Sequence, residues 1–237
     1  MPANHRSLHW AQAKVYAALL CAQHGLPELK VALVYFEISR QEETTLVEHW
    51  GAADLQAFFE RLCEDFLAWA VQELGHRKDR DDDLAQLRFP HKSYRKGQRE
   101  LAENVYRAAR HGRCLLAQAP TGIGKTVATL FPLLKACANE DLDKVFYLTA
   151  KGAGQQLARE AVDTIRRAHL TLRLRVIELV SREKSCEHPG KACHGESCPL
   201  ARGFYDRLPA ARADVMAGGV IGGAEAIRAV ARRHTIC

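Results

Sequence analysis

The 237-residue sequence lacks several features that would place it in a common class of protein. No apolar run approaches the length of a membrane span, and residues 1–14 are polar and helix-like where a secretion signal would be apolar. Internal repeats and low-complexity tracts are also missing. We therefore expect a cytoplasmic globular protein with no membrane partner, of about one and a half domains, whose cysteines stay reduced.

The charge is distributed unevenly along the chain. Residues 1–87 hold eight Lys and Arg against fourteen Asp and Glu, whereas residues 88–237 hold twenty-six against fourteen, a net charge of +12. A basic surface of this kind attracts phosphate backbones, with an affinity that falls as salt rises. The second part of the chain is therefore predicted to bind nucleic acid.

A phosphate-binding loop is predicted at residues 119–126, A-P-T-G-I-G-K-T. It follows the apolar run 114–117 and precedes the apolar run 127–131, so it lies at a strand-to-helix turn, where backbone N–H groups can hold phosphates. The generic pattern begins with Gly, and this chain has Ala119. Lys125 is expected to contact the β- and γ-phosphates and Thr126 to bind Mg²⁺, so both are assigned catalytic roles. The candidate nucleotide-binding residues of the loop are Ala119, Pro120, Thr121, Gly122, Ile123, Gly124, Lys125 and Thr126.

The eight cysteines fall into two groups. Four lie in apolar helix or strand patterns and are expected to be small buried residues: Cys21, Cys63, Cys114 and Cys137. The others are candidate metal ligands: Cys186, Cys193, Cys198 and Cys237. Four thiolates suit either zinc or an iron–sulfur cluster. The spacing lacks the C-x-x-C pairs that zinc ribbons favour. His188 and His194 are further possible zinc ligands, so zinc stays an alternative, and free thiols are a third interpretation.

Together, the motifs from Phe89 to Cys237 resemble the start of the first motor domain of iron–sulfur superfamily 2 DNA helicases, the XPD/DinG-like group. In that family the loop ordinarily begins with Ala, and a glutamine upstream of it, here Gln98 in Y-R-K-G-Q, reads adenine. The segment 144–155 resembles the motif that contacts the DNA backbone, which implies DNA contacts by Thr149, Lys151 and Gln155. The resemblance also implies a [4Fe-4S] cluster on the four candidate cysteines, ATP with Mg²⁺, single-stranded or forked DNA as partner, 5′ to 3′ movement, and a role in repair or replication.

The sequence pattern of residues 1–75 predicts a separate small unit. Its helices are expected at 8–24 and 54–74, and its strands at 30–38 and 44–48. The second helix carries an apolar stripe expected to face a core: Leu55, Phe58, Phe59, Leu62, Phe66 and Trp69. Gln12 and Tyr16 resemble the Q-x-x-x-Y element of RecB-like PD-(D/E)XK nucleases. The carboxylates and lysine of that fold would precede Gln12, so we expect a nuclease-like tail without nuclease activity.

The predicted fold class is α/β: an incomplete P-loop NTPase (RecA-like) parallel sheet with an inserted cysteine-ligated cluster domain, preceded by a small α+β unit. The predicted boundaries are 1–75 for this unit, 76–90 for a charged linker, 91–181 for the partial motor domain and 182–237 for the partial cluster domain. A D-E-A-H motif and a second motor domain do not occur in these residues. We therefore expect an inactive fragment, with weak ATP binding, of an ATP-dependent DNA helicase. A zinc-dependent nucleic-acid-binding module with a degenerate nucleotide site and a small-molecule P-loop ATPase are the alternatives.

Overall fold

A computed structural model describes residues 3–140, 142–150, 152–217 and 224–237. Two compact units form: one from residues 3–72, 180–217 and 227–237, the other from residues 73–179 and 224–226. The elements of the described residues are α1 (Ala3–His24), β1 (Glu28–Glu37), β2 (Glu42–Gly51), α2 (Ala52–Ala85), α3 (Gln98–Arg110), α4 (Lys125–Asn139), α5 (Gly152–Ala168), α6 (Arg182–Ser185), α7 (Phe204–Ala217) and α8 (Ala224–Arg233).

The first unit contains an antiparallel ribbon of β1 and β2, in a register that runs from Glu28 opposite Gly51 to Glu37 opposite Glu42. Alternate β1 residues face inward, because successive side chains of a strand point to opposite faces. The inward-facing Val31 packs in one cluster with three residues of α1 and one of α2: Ala17, Ala18, Cys21 and Leu55. The structure thus confirms the predicted helix and two strands at the start of the chain.

The apolar stripe of α2 is buried only where α2 begins. Leu55 is fully buried and Phe59 partly so, whereas Leu62, Phe66 and Trp69 are exposed. The expectation that the whole stripe is core is therefore wrong for these three residues. A helical pattern identifies an apolar face, but neighbouring elements decide how much of that face is buried. Here the ribbon and α1 cover only the first turns of α2.

The charged stretch predicted as a linker differs in the structure, because α2 continues through it to Ala85. The last part of α2 belongs to the second unit. There its charges are paired, since Arg80 contacts both Asp81 and Asp143, each within 3.1 Å. Leu84 is buried in the core of this unit. The sequence shows the charges but not the partners that let a charged segment form an ordered helix.

Helices α4 and α5 form the main core of the second unit, together with the end of α2 and residues 172–174. The runs predicted as parallel strands, 114–117, 144–148 and 176–179, form no strand ladder, and β1–β2 is the only sheet within the described residues. Leu116 and Leu148 are almost fully exposed. An apolar pattern can predict where a strand would lie, but a strand forms only when a second segment accepts and donates its backbone hydrogen bonds.

Candidate nucleotide site and cysteine cluster

The phosphate loop ends at the first residue of α4, as the sequence predicts. Gly122 and Gly124 have φ angles of 85° and 80°, the left-handed region that glycine adopts without steric cost. Gly124 is the N-cap of α4, and no side chain caps the helix there. The first N–H groups of α4 therefore have no intrahelical partner and can bind an anion together with the positive end of the helix dipole.

Lys125 lies folded back on the loop. Its ammonium group donates to the carbonyl oxygens of Ala119 at 3.1 Å and Pro120 at 2.9 Å. The side chain is exposed, so a phosphate oxygen can replace these neutral acceptors with a charge-assisted hydrogen bond. Thr126 follows in the first turn of α4, and its backbone carbonyl accepts from the Thr129 hydroxyl at 3.0 Å.

An apolar cluster supports the loop from behind. Ala119 and Ile123 pack, with Tyr94, against buried residues of α3 and α4: Leu101, Ala102, Val105 and Ala128. The methyl group of Ala119 thus has a packing role at the position where the generic motif has glycine. Because α3 is strongly amphipathic, its apolar side faces the loop and its charged side faces solvent.

Gln98 connects this helix to the phosphate loop and is the one buried polar side chain among the described residues, with 3% exposure. Its amide nitrogen donates to the Gly124 carbonyl at 3.3 Å, and its carbonyl oxygen accepts from the Arg95 backbone N–H at 3.0 Å. The Arg95 guanidinium also donates to the carbonyl of Gly122. The structure therefore brings the predicted adenine-reading residue against the phosphate loop. Sequence reasoning assigned no role to Arg95, although it stands in the same Y-R-K-G-Q run.

Two of the three predicted DNA contacts lie at the start of α5. A Cβ atom on Gly154 would lie 2.8 Å from the Cβ of Thr149, so Thr149 packs directly against the backbone of the first turn of this helix. Gln155, half-buried, lies in the same turn. Lys151 lies outside the described residues. The structure thus places Thr149 and Gln155 together at the start of α5.

Several arginines that the charge pattern assigns to a DNA-attracting surface have partners within the second unit. Arg173 pairs with Asp79 and Asp83, each at 2.8 Å, and the hydrogen bond to Asp83 raises the pKa of the Arg173 guanidinium. Arg159 pairs with Glu178, and Arg175 pairs with Glu73. Arg166 donates a hydrogen bond to the carbonyl of Leu174. Acidic residues, including Asp79, Asp83 and Glu73 of α2, therefore neutralise part of the positive charge that residues 88–237 carry.

The candidate ligand cysteines all lie in the first unit. Cys198 is the most buried, at 6% exposure, and its backbone N–H donates to the His194 carbonyl at 2.9 Å. Burial raises the pKa of the Cys237 thiol, and the neighbouring thiols of Cys193, Cys198 and Cys186 raise it further. Cys237 therefore lies within electrostatic range of the other three candidate ligands. Among the other cysteines, Cys114 is exposed, contrary to expectation, because its apolar run has no partner strand.

The metal site predicted on the four cysteines stays a prediction. No group of three His, Cys, Asp or Glu side chains in the described part of the chain is arranged to hold a metal ion. His194 Nδ1, next to Cys193 in sequence, is buried without a hydrogen-bond partner.

The loop, the uncapped helix and the Gln98 contact form the candidate nucleotide site. Residues 95–200 match the family model of the DEAD/DEAH box helicases, so both the loop and Gln98 lie inside the matched segment. The match supports a superfamily 2 helicase, and it implies a RecA-like α/β fold, ATP with Mg²⁺ and nucleic-acid binding. No curated protein and no solved structure matches the chain. Within the described residues, no helix is long and apolar enough to cross a membrane.

Proposed function

We propose that the chain is part of an ATP-dependent DNA helicase of the iron–sulfur superfamily 2 type, which moves 5′ to 3′ on single-stranded or forked DNA in repair or replication. The observation that carries the helicase part is the direct contact of Gln98 and Arg95 with the phosphate loop, inside the segment that matches the helicase family. In this proposal, residues 91–181 belong to the motor domain and residues 182–237 to the cluster domain, while residues 1–75 form the nuclease-like unit.

In the proposed site, Lys125 exchanges the carbonyls of Ala119 and Pro120 for the β- and γ-phosphates. The N–H groups at the start of α4 bind phosphate oxygens, and the Thr126 hydroxyl binds Mg²⁺. Gln98 recognises adenine. Because the same amide holds the Gly124 carbonyl, nucleotide binding also changes the contact that fixes the loop.

The DNA backbone is proposed to contact Thr149, Lys151 and Gln155 in the motor domain. Cys186, Cys193, Cys198 and Cys237 would hold the [4Fe-4S] cluster, which would supply a rigid cross-link between the segments that carry these cysteines. The influence of the other three thiols on Cys237 supports this assignment.

The nucleotide site is tested by substituting Lys125→Ala, with the exposed Lys96→Ala as matched control. We expect the affinity for Mg²⁺–ATP, measured by equilibrium dialysis, to fall about tenfold or more with Lys125→Ala, because a charge-assisted bond to phosphate is lost. Lys96→Ala should bind like the unsubstituted chain. Equal affinity in both variants would contradict the site. Salt-sensitive binding of single-stranded DNA would separate this function from a small-molecule ATPase.

The cluster is tested by purifying the chain without oxygen and measuring iron, acid-labile sulfide and zinc. Four irons and four sulfides per chain, lost on Cys198→Ser, are expected. Stoichiometric zinc without iron would overturn the cluster and favour the zinc-dependent nucleic-acid-binding module instead.

A further inference from the structure

We propose that Arg207 is the positioning residue that brings Cys237 to the other three cysteines. This inference rests on the proposed metal site and adds to it a residue that none of the motifs includes. Cys198 and Cys237 are separated by thirty-eight residues of chain, so the backbone near one does not fix the place of the other.

The guanidinium group of Arg207, on α7, joins the two segments. Its Nη2 atom donates to the carbonyl of Arg202, which lies in the turn that follows Cys198, and to the carbonyl of Thr235 at 3.0 Å, two residues before Cys237. The Nε atom is buried and has no hydrogen-bond partner in the structure. A guanidinium group that donates to carbonyl acceptors on two separate segments links these segments, because its loss leaves both carbonyls without this donor.

The turn after Cys198 is itself built to present the Arg202 carbonyl. The backbone N–H groups of Ala201 and Arg202 donate to the Cys198 carbonyl at 3.1 and 3.2 Å. Gly203 follows with a φ angle of 62°, and a Cβ atom there would lie 3.3 Å from Nη1 of Arg207. The glycine therefore leaves room for the guanidinium next to this turn.

The segment before Cys237 is held in a similar way. Thr235 has a φ angle of 54°, which a side-chain-bearing residue seldom adopts without support. The neighbouring His234 contacts Asp214 of α7 at 2.8 Å, and the Ile236 N–H donates to the Ala231 carbonyl at 2.9 Å. Arg207 and Asp214 thus hold the end of the chain to the same helix, and only Arg207 also contacts the turn that follows Cys198.

The experiment compares Arg207→Ala and Arg207→Lys with the control Arg212→Ala. Arg212 is on the same helix, but its guanidinium lies over the Trp69 ring, 5.7 Å from the centroid. Each variant is purified without oxygen, and cluster loss to an iron chelator is followed by its visible absorbance. We expect Arg207→Ala to lose the cluster about 10- to 100-fold faster, as when a residue that orients a metal ligand is removed. Arg207→Lys should be intermediate, and Arg212→Ala should behave like the unsubstituted chain.

A second measurement does not need the metal. In the reduced, metal-free chain, the yield of a short bismaleimide cross-link between Cys198 and Cys237, identified by peptide mass spectrometry, should fall severalfold in Arg207→Ala and stay unchanged in Arg212→Ala. If Arg207→Ala loses helix content by circular dichroism, the cross-link is compared in Arg207→Lys.

The two measurements separate the two proposals. A chain that holds no iron but shows the cross-link difference overturns the cluster and supports Arg207. A chain that holds the cluster, with equal loss rates and equal cross-link yields in all variants, overturns the role of Arg207 and leaves the proposed function standing.

Discussion

The phosphate loop and the cysteine segment are supported in different ways. The loop packs against an apolar cluster of α3 and α4, and Gly122 and Gly124 adopt the left-handed backbone angles that the turn requires. In the cysteine segment, α8 has no buried residue, and polar contacts such as Arg207 to Thr235 hold its end. An apolar support fixes the shape of a loop by itself, whereas a segment held mainly by polar contacts would gain much of its stability from the proposed cluster.

The largest effect is expected from removing the metal. In the proposed holoprotein, chelation should raise backbone hydrogen exchange in α7 and α8 by about 100-fold or more, because local opening then no longer has to break metal–thiolate bonds. Exchange in α3 and α4 should not change. Mass spectrometry of the loaded and stripped chains measures both. Unchanged protection of α8 after stripping would remove the distinction between the two regions.

Substituting Gly124→Ala should disrupt the phosphate loop and leave the metal content unchanged. Residue 124 has a φ angle of 80°, which strains an alanine, and the new Cβ atom would overlap the amide nitrogen of Gln98. To avoid it, Gln98 must move and lose its bond to the loop, so we expect a destabilisation of about 2–5 kcal/mol and loss of Mg²⁺–ATP binding.

The matched control is Gly112→Ala, because Gly112 also has a positive φ angle, 59°, but has open space at its Cβ position. This control should cost only about 1–2 kcal/mol, from backbone strain alone. Thermal melting of both variants gives the comparison, and equal melting temperatures would mean that the Gln98 contact does not restrain the loop.

A smaller effect concerns the polar contacts of the second unit. A hydrogen bond from Arg77, with a weaker contribution from Arg80, lowers the pKa of Asp143 to about 2. A hydrogen bond from Arg173 lowers the pKa of Asp83. Because these pKa values are lower in the folded state, the stability they contribute is present above the unfolded pKa of about 4 and is lost as pH falls toward 2.

Asp143→Asn should therefore weaken the pH dependence of stability between pH 4 and pH 2, by about 1 kcal/mol or less, since these groups are partly exposed. Urea melts at pH 6 and pH 3 measure the difference, and the exposed Glu100→Gln serves as control. A variant that kept the full acid sensitivity would show that Asp143 does not anchor the end of α2.

Local chemistry explains which predictions the structure confirms. The helix at residues 8–24 and the ribbon follow from periodicity over short windows, and α4 begins at Lys125 because a glycine-rich turn precedes an apolar helical run. The exposed Phe66 and Cys114 were not predictable in the same way. Their patterns specify an apolar side, but only other segments of the chain can cover it.

The amino-acid sequence by itself determined the phosphate loop, the helix that follows it and the candidate ligand cysteines, because each depends on residue types at short spacings. Tertiary structure alone decided that Gln98 and Arg95 contact the phosphate loop and that the charged residues of α2 pair with Asp143 and Arg173. It also decided that the apolar runs of the second unit form no sheet with one another. These outcomes depend on contacts between segments distant in the chain, and no local pattern encodes which segments will meet.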